Sequence, residues 1–197
     1  MSKQMSSWLQ KNSFNEKDEY YTPRILVEPI LKYVKPKSTV WCPFDTNESE
    51  FVIALREQLH TVIQSHIWED KDFFTYEPNE PYDYIISNPP FTRKLEVLDR
   101  LYKLNKPFAM VLGLPILNYQ EIGSFFVGKK LQLLIVDKKI SFDGNTASFN
   151  NSYFCHDFLP QDIIFEHLEN NNSKQYFKKS RMIMPEDDNK KGEQQLT

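Results

Sequence analysis

Apolar residues along this chain switch between a helical and an extended rhythm. Thr22 followed by Pro23 predicts a helix start, a hydroxyl cap with proline at the first helical position. Ile25, Leu26, Ile30, Leu31 and Val34 then recur at helical spacing until Pro36 closes the helix. Thr39 to Cys42 predicts a short buried strand, and residues 48 to 58 a helix with Phe51, Val52 and Leu55 on one face. Residues 60 to 67 predict a second strand. Tyr84 to Ser87 predicts a third, stopped at Asn88-Pro89-Pro90 because two prolines forbid further ladder bonding. A helix over residues 94 to 104 carries Leu95, Leu98, Leu101 and Tyr102 as its apolar positions. A strand at 108 to 112, a helix at 120 to 127 and a strand at 131 to 136 follow. Near the end, residues 139 to 142, a turn at Asp143-Gly144-Asn145 and residues 152 to 155 predict extended segments returning antiparallel. Alternating strands and helices, then a hairpin-like end, predict an α/β domain. Its form is a Rossmann-like open sheet of about seven strands, helices on both faces and a late antiparallel strand.

Composition adds boundaries and removes some functions. A length of 197 residues with 40% hydrophobic content suits one domain with one substantial core. Residues 1 to 17 and 184 to 197 are polar and aperiodic, which predicts mobile ends around a single folded body at 18 to 183. No apolar run approaches the roughly 20 residues that cross a bilayer, and the start is polar, so a cytoplasmic protein is expected. Cys42 and Cys155 stand alone, without zinc-site spacing, and read as buried free thiols; no metal is expected. The net charge of -3 excludes nucleic-acid binding by bulk charge alone. Residues 1 to 92 hold 9 basic and 14 acidic side chains against 15 and 13 in the rest, so the halves differ as -5 against +2. Contact with a polyanion therefore falls on the second half.

Chemistry concentrates at residues 83 to 91, Asp-Tyr-Ile-Ile-Ser-Asn-Pro-Pro-Phe, at the carboxyl end of a strand. Ligands of open α/β sheets bind there. The double proline fixes φ twice and removes two donors, leaving acceptors around Asn88 and Pro89. The Asn88 side-chain oxygen and the Pro89 carbonyl can each accept one hydrogen of an exocyclic amine, drawing its nitrogen toward a nucleophilic geometry. Phe91 offers a face for the flat base bearing that amine, worth roughly 1–3 kcal/mol per base. A strand terminator with a core Phe is the plain alternative.

Asn88-Pro89-Pro90-Phe91 resembles the catalytic motif of S-adenosylmethionine-dependent amino methyltransferases, especially the adenine enzymes that include modification subunits of type I restriction systems. Glu19-Tyr20-Tyr21-Thr22-Pro23 before a helix resembles the segment that opens their cofactor site, and Asp72-Phe73 resembles their element beside the cofactor adenine. The order of these elements is that of the family's gamma arrangement. The chain also resembles small stand-alone methyltransferases of phages and prophages of Gram-positive bacteria, over most of residues 18 to 168. The resemblance implies a class I methyltransferase fold. It implies Asn88, Pro89, Pro90 and Phe91 as catalytic residues, and S-adenosylmethionine held by Tyr21, Thr22, Pro23, Pro43, Asp45, Ser49, His66, Asp72 and Phe73.

One departure stands out. Relatives carry a glycine-rich turn after the first strand, where the cofactor approaches the backbone closely. Here the first 112 residues hold no glycine, and the turn reads Cys42-Pro43-Phe44-Asp45-Thr46-Asn47-Glu48-Ser49. Asp45 and Ser49 remain able to bind an ammonium or cap the next helix. His66 stands where relatives place an acidic residue on the ribose; a plain polar strand end is its other reading.

Arg93, Lys94, Arg100 and Lys103 form one basic cluster beside the catalytic strand end. Lys174, Lys178, Lys179 and Arg181 form another around Tyr176 and Phe177. Such clusters can track a phosphate backbone and stack bases, or be solvated faces. Ser148-Phe149 and Ser152-Tyr153-Phe154 resemble the family's late loop lining the target-base pocket, so Arg93, Lys94, Ser148, Phe149 and Tyr153 are the expected substrate contacts. The expected reaction is direct methyl transfer to the adenine amine of DNA, with DNA favoured over RNA. A duplex base must be flipped out or met on a single strand. The chain beyond the catalytic body is too short for a recognition domain, so specificity would fall to loops, the N-terminal segment or a partner. The alternatives are an RNA adenine, guanine or protein-amide acceptor, or a methyltransferase-like factor that binds nucleic acid or a host protein without activity.

Overall fold

The computed structural model describes residues 22–140, 142 and 150–168. The body limits expected at residues 18 and 183, both polar ends, the second basic cluster and the turn at 143 to 145 lie outside the described residues. The elements are α1 Arg24–Leu31, β1 Thr39–Cys42, α2 Glu50–Glu57, β2 Thr61–Gln64, β3 Tyr84–Ser87, α3 Lys94–Leu104, β4 Phe108–Gly113, α4 Gln120–Phe126, β5 Gln132–Val136, β6 Asn151–His156 and β7 Ile163–Glu166. The strands form one seven-stranded sheet in the order β2-β1-β3-β4-β6-β5-β7. All neighbours are parallel except those of β6, which runs antiparallel to both β4 and β5. This is the open α/β sheet expected, with its late antiparallel strand.

Each strand divides its side chains between two cores, because successive residues point to opposite faces. Val40, Cys42, Tyr84, Ile86, Ala109, Val111, Tyr153 and Cys155 face α1 and α2. Trp41, Ile85, Phe108, Met110, Leu112 and Phe154 face α3 and α4. The inner strands are apolar on both sides for that reason, as parallel sheets covered twice require.

Four elements depart from expectation. Pro23, not Thr22, is the residue preceding α1, and no side chain caps the helix; the Pro23 carbonyl takes the Leu26 and Val27 amides at 2.9 and 3.4 Å. The helix ends at Leu31, short of Pro36, with Pro29 inside it; tighter turns, Tyr33 N to Ile30 O and Val34 N to Leu31 O, carry Val34 into the core. β2 stops at Gln64 instead of running to Ile67. Past it, the buried Ser65 hydroxyl accepts Trp41 Nε1 at 2.9 Å and His66 Nδ1 takes the Trp68 amide at 3.2 Å, starting a 3-10 helix at Ile67–Glu69. Finally, β6 was expected in a hairpin with residues 139 to 142 but inserts between β4 and β5, and β7 was not anticipated at all. Ile163 and Phe165 of β7 remain 54% and 75% exposed, so one face of this short apolar strand is left in solvent.

Gln132 fastens the loop between β6 and β7. Its Oε1 accepts the Phe158 and Leu159 amides at 2.9 and 3.0 Å, and its Nε2 donates to the Leu159 carbonyl at 2.7 Å. Replacement by leucine strands two buried backbone donors, so Gln132→Leu is expected to lower unfolding stability by about 3 kcal/mol, read as a shifted urea midpoint. Burial pushes the thiols of Cys42 and Cys155 well above their usual range. Neither is expected to react with iodoacetamide in the native protein, and both in urea; labelling followed by mass spectrometry checks this.

Candidate active site

After β1 the chain moves to one side for β2 and then returns to the other side of β1 for β3. The carboxyl ends of β1 and β3 are therefore neighbours with no crossover above them, the switch point where open α/β sheets take ligands. Val40 pairs with Tyr84 and Trp41 with Ile85, which brings the turn at residues 43 to 49 beside Asn88. The two loops are joined directly: Ser87 Oγ, wholly buried, donates to Asp45 Oδ2, and Asp45 is 6% exposed. The Asp45 charge adds to burial in raising the Cys42 thiol. Next in sequence to this pair stand two acceptors without partners, the buried Asn88 Oδ1 and the buried Thr46 Oγ1. Folded chains seldom bury such atoms unpaired.

The turn itself explains how it dispenses with glycine. None of residues 43 to 49 has a positive φ. Ser49 closes it reciprocally, its Oγ accepting the Thr46 amide at 3.0 Å and its own amide donating to the Thr46 carbonyl at 3.2 Å. Pro43 is buried, and Phe44 packs on Phe73 at 4.8 Å. The Ser49 hydroxyl thus serves the turn.

The Asp72-Phe73 segment forms the adjoining wall. Asp72 Oδ1 accepts the Phe74 amide at 3.0 Å, and the Asp72 carbonyl accepts those of Thr75 and Tyr76 at 3.0 and 2.8 Å. Phe73 was expected beside a cofactor, yet its ring is 2% exposed, against Trp41 at 5.6 Å; it is a core side chain. Arg100, expected in a phosphate-facing cluster, turns inward instead. Its guanidinium donates to the Phe74 and Tyr76 carbonyls at 3.1 and 3.0 Å, clamping this loop to α3. Arg93 lies over the Phe74 ring at 3.6 Å and pairs with Glu96, whose carboxyl it holds below the usual range. Lys103 pairs with Asp99 on the surface, and Lys94 begins α3, half-buried. No sequence signal distinguished Arg100 from its basic neighbours, because its partners are carbonyls far away along the chain.

The remaining expectations divide. Thr22 is buried and Pro23 half-buried at the approach to α1, and His66 is buried against Trp68, ring centroids 4.3 Å apart. Pro89 is buried and Pro90 half-buried. Tyr21, Ser148 and Phe149, and the ring of Phe91, lie outside the described residues. Tyr153, expected at the target base, is a core residue: it is fully buried and its hydroxyl donates to the Leu26 carbonyl at 2.6 Å, tying β6 to α1. Beside it, sequence reasoning named Ser152 only within the stretch resembling the late loop and passed over Asn151; the side-chain polar atoms of both are buried and unpartnered. Among the described residues, no three His, Cys, Asp or Glu side chains converge as metal ligands, and no helix is long and apolar enough to cross a membrane.

No protein-family model and no curated protein matches the chain. Solved structures do resemble it. One is the type I restriction-modification methyltransferase subunit from Streptococcus thermophilus, with 13% identity over 76% of this chain and 47% of that one, and a TM-score of 0.47. Another, from Listeria monocytogenes, is assigned to the class I S-adenosylmethionine-dependent methyltransferases, with 10% identity over 87% and 72% of the two chains and a TM-score of 0.47. The 23S rRNA methyltransferase ErmE shares 14% identity over 81% of this chain and 76% of its own, with a TM-score of 0.46. The chain spans about half the length of the Streptococcus subunit.

Proposed function

We propose that this chain transfers a methyl group from S-adenosylmethionine to the exocyclic amine of adenine in DNA. The observation that carries the reading is Asn88 Oδ1, buried and unpartnered at the end of β3. A buried acceptor without a donor costs about 1–3 kcal/mol, which a ligand amine offsets when it supplies the hydrogen. S-adenosylmethionine supplies, when bound, a methyl group activated on a sulfonium sulfur.

The chain's own residues do the rest. Asn88 Oδ1 accepts one amine hydrogen and turns the nitrogen lone pair away from the ring. Pro89 and Pro90 hold the asparagine on a backbone with both φ angles fixed. Asp45, kept in place by Ser87, offers negative charge to the cofactor's ammonium, and Thr46 Oγ1 offers it an unused hydroxyl. Tyr21, Thr22 and Asp72 complete the cofactor side, and Phe91 stacks on the base. Positioning of this kind supplies most of the rate. Since the amine of a paired base is hidden in the stack, single-stranded or flipped adenine is the form that reaches Asn88.

The glycine-free turn favours a second reading, a methyltransferase-like protein that binds nucleic acid or a host protein without transferring anything. Calorimetric titration with S-adenosylmethionine separates the two, since binding is expected here and its absence supports the second. Asn88→Ala is expected to keep cofactor affinity and lose methyl transfer by roughly 100-fold, measured with labelled cofactor on DNA, RNA and protein pools. Undiminished methylation by that variant would falsify the role of Asn88, and label entering RNA or protein in place of DNA would reassign the acceptor.

A further inference from the structure

The two loops that meet at the candidate site face each other across a break in the sheet. β3 stays paired with β4 as far as Ser87, opposite Met110, but its pairing with β1 ends at Ile85, opposite Trp41. β1 itself stays paired with β2 through Cys42. The ladder between β1 and β3 therefore stops before either strand does, and their carboxyl ends form two unzipped lips at the switch point.

A side-chain bond spans this opening. Ser87 Oγ donates to Asp45 Oδ2, with the serine wholly buried and Asp45 6% exposed. A hydroxyl on a carboxylate makes a charge-assisted bond, stronger than one between neutral groups and stronger again away from water. Thr46 Oγ1 and Asn88 Oδ1, the neighbouring side-chain oxygens on the two lips, are buried without partners and add nothing to it. Each lip is also held from its own side. The turn after β1 is tied to α2 by Arg56, which donates to Asn47 Oδ1 at 3.0 Å, and is closed by Ser49 on the Thr46 amide at 3.0 Å. The end of β3 leads through Pro89 and Pro90 toward α3, whose Arg100 is anchored on the Phe74 and Tyr76 carbonyls. Removing the Ser87 hydroxyl thus leaves both lips folded and takes away a bond between them.

We infer that Ser87 is a positioning residue that fixes the two reactants relative to each other; this rests on the function proposed above. With the cofactor on Asp45 and Thr46 and the acceptor amine on Asn88, the reactants belong to different lips. Transfer forms an N–C bond as the C–S bond breaks, and one amine proton leaves to water. The reacting atoms must stand about 3–3.5 Å apart and in line, and an error of roughly 1 Å costs about 100-fold. Strand ends no longer joined by backbone bonds do not hold so small a tolerance, whereas a bridge one residue before Asn88 does. Because Ser87 touches neither reactant, its loss changes how the two subsites face each other and spares each subsite taken alone.

The test uses the full chain with Ser87→Ala, Asp45→Ala and the double substitution, each also followed by thermal unfolding. The probe of relative position is a bisubstrate molecule, an S-adenosylmethionine analogue in which nitrogen replaces the sulfur and carries a short alkyl linker to N6 of adenosine. Its affinity is measured by calorimetry beside those of S-adenosylmethionine and single-stranded oligo-dA taken separately. The wild type is expected to bind it about 100-fold more tightly than S-adenosylmethionine, since linking two parts that fit together makes the second contact intramolecular. Ser87→Ala is expected to lose about tenfold of that advantage and about tenfold in kcat, with each separate affinity within about threefold of wild type. In the Asp45→Ala background, Ser87→Ala is expected to change the advantage no further, the mark of two residues acting as one unit. A Ser87→Ala chain that keeps the full advantage overturns the inference, whether or not it melts lower. So does one whose separate affinities fall by the same factor, or whose effect adds independently to that of Asp45→Ala. A wild type that binds cofactor but gains nothing from the linker overturns it too, whereas one that binds no cofactor at all defeats the methyltransferase reading instead.

Discussion

Pro89 and Pro90 carry no amide hydrogen, and the parallel ladder of β3 therefore cannot pass Ser87. Much of the site follows from that stop. The strand ends beside β1, where the order of the sheet reverses, so the residue after Ser87 emerges at the switch point of the sheet. The chain then enters a 3-10 helix at Phe91–Arg93 and continues into α3, whose Val97, Leu98 and Leu101 bury the face below. From the same helix Arg100 reaches back to the loop at residues 72 to 76. One pair of prolines thus sets where the strand ends, where an asparagine is presented and where the supporting helix begins.

Local signals carried most of the fold. The runs at β1, β3 and α3 were legible to the residue because each is bounded by its own punctuation, a polar flank or a proline. The placement of β6 was not, since inserting it between β4 and β5 depends on pairings such as Met110 with Phe154, far apart in the chain. β7 was missed for a related reason: its apolar run is only three residues long, Ile163 to Phe165, and its neighbour in the sheet, β5, is remote in sequence. In the candidate site, Asn88 and Asp45 were singled out by residue type at a strand end, and the structure sets their loops side by side through the Ser87–Asp45 hydrogen bond. Tyr153 was not, because a tyrosine that donates to the Leu26 carbonyl inside the core reads the same in sequence as one facing a ligand. Arg100 and Gln132 belong with it, as polar side chains whose partners are backbone groups that only the tertiary structure brings near.

The turn after β1 separates two uses of glycine that usually coincide. One is conformational, and here it is unneeded, because residues 43 to 49 stay in ordinary backbone regions and Ser49 supplies the closing bonds. The other is to leave room for a ligand beside the main chain. Gly113, at the end of β4, likewise has plain strand backbone, and a Cβ there would meet only Pro115 Cδ, at 3.8 Å.

The position of β6 also governs when the molecule can assemble. A strand that begins at Asn151 lies between two strands made earlier, β4 and β5, which have no contact ladder with one another. During synthesis β1 to β4 can pair as they emerge, but β5 has nowhere to dock until β6 leaves the ribosome, and β7 must follow β5. Until then the nascent sheet holds an open flank at β4, with Met110 and Leu112 awaiting Phe154 and Ser152. A chain halted before β6 has left the ribosome would therefore expose a sticky half-sheet to chaperones, while one from which β7 has also emerged can complete the sheet.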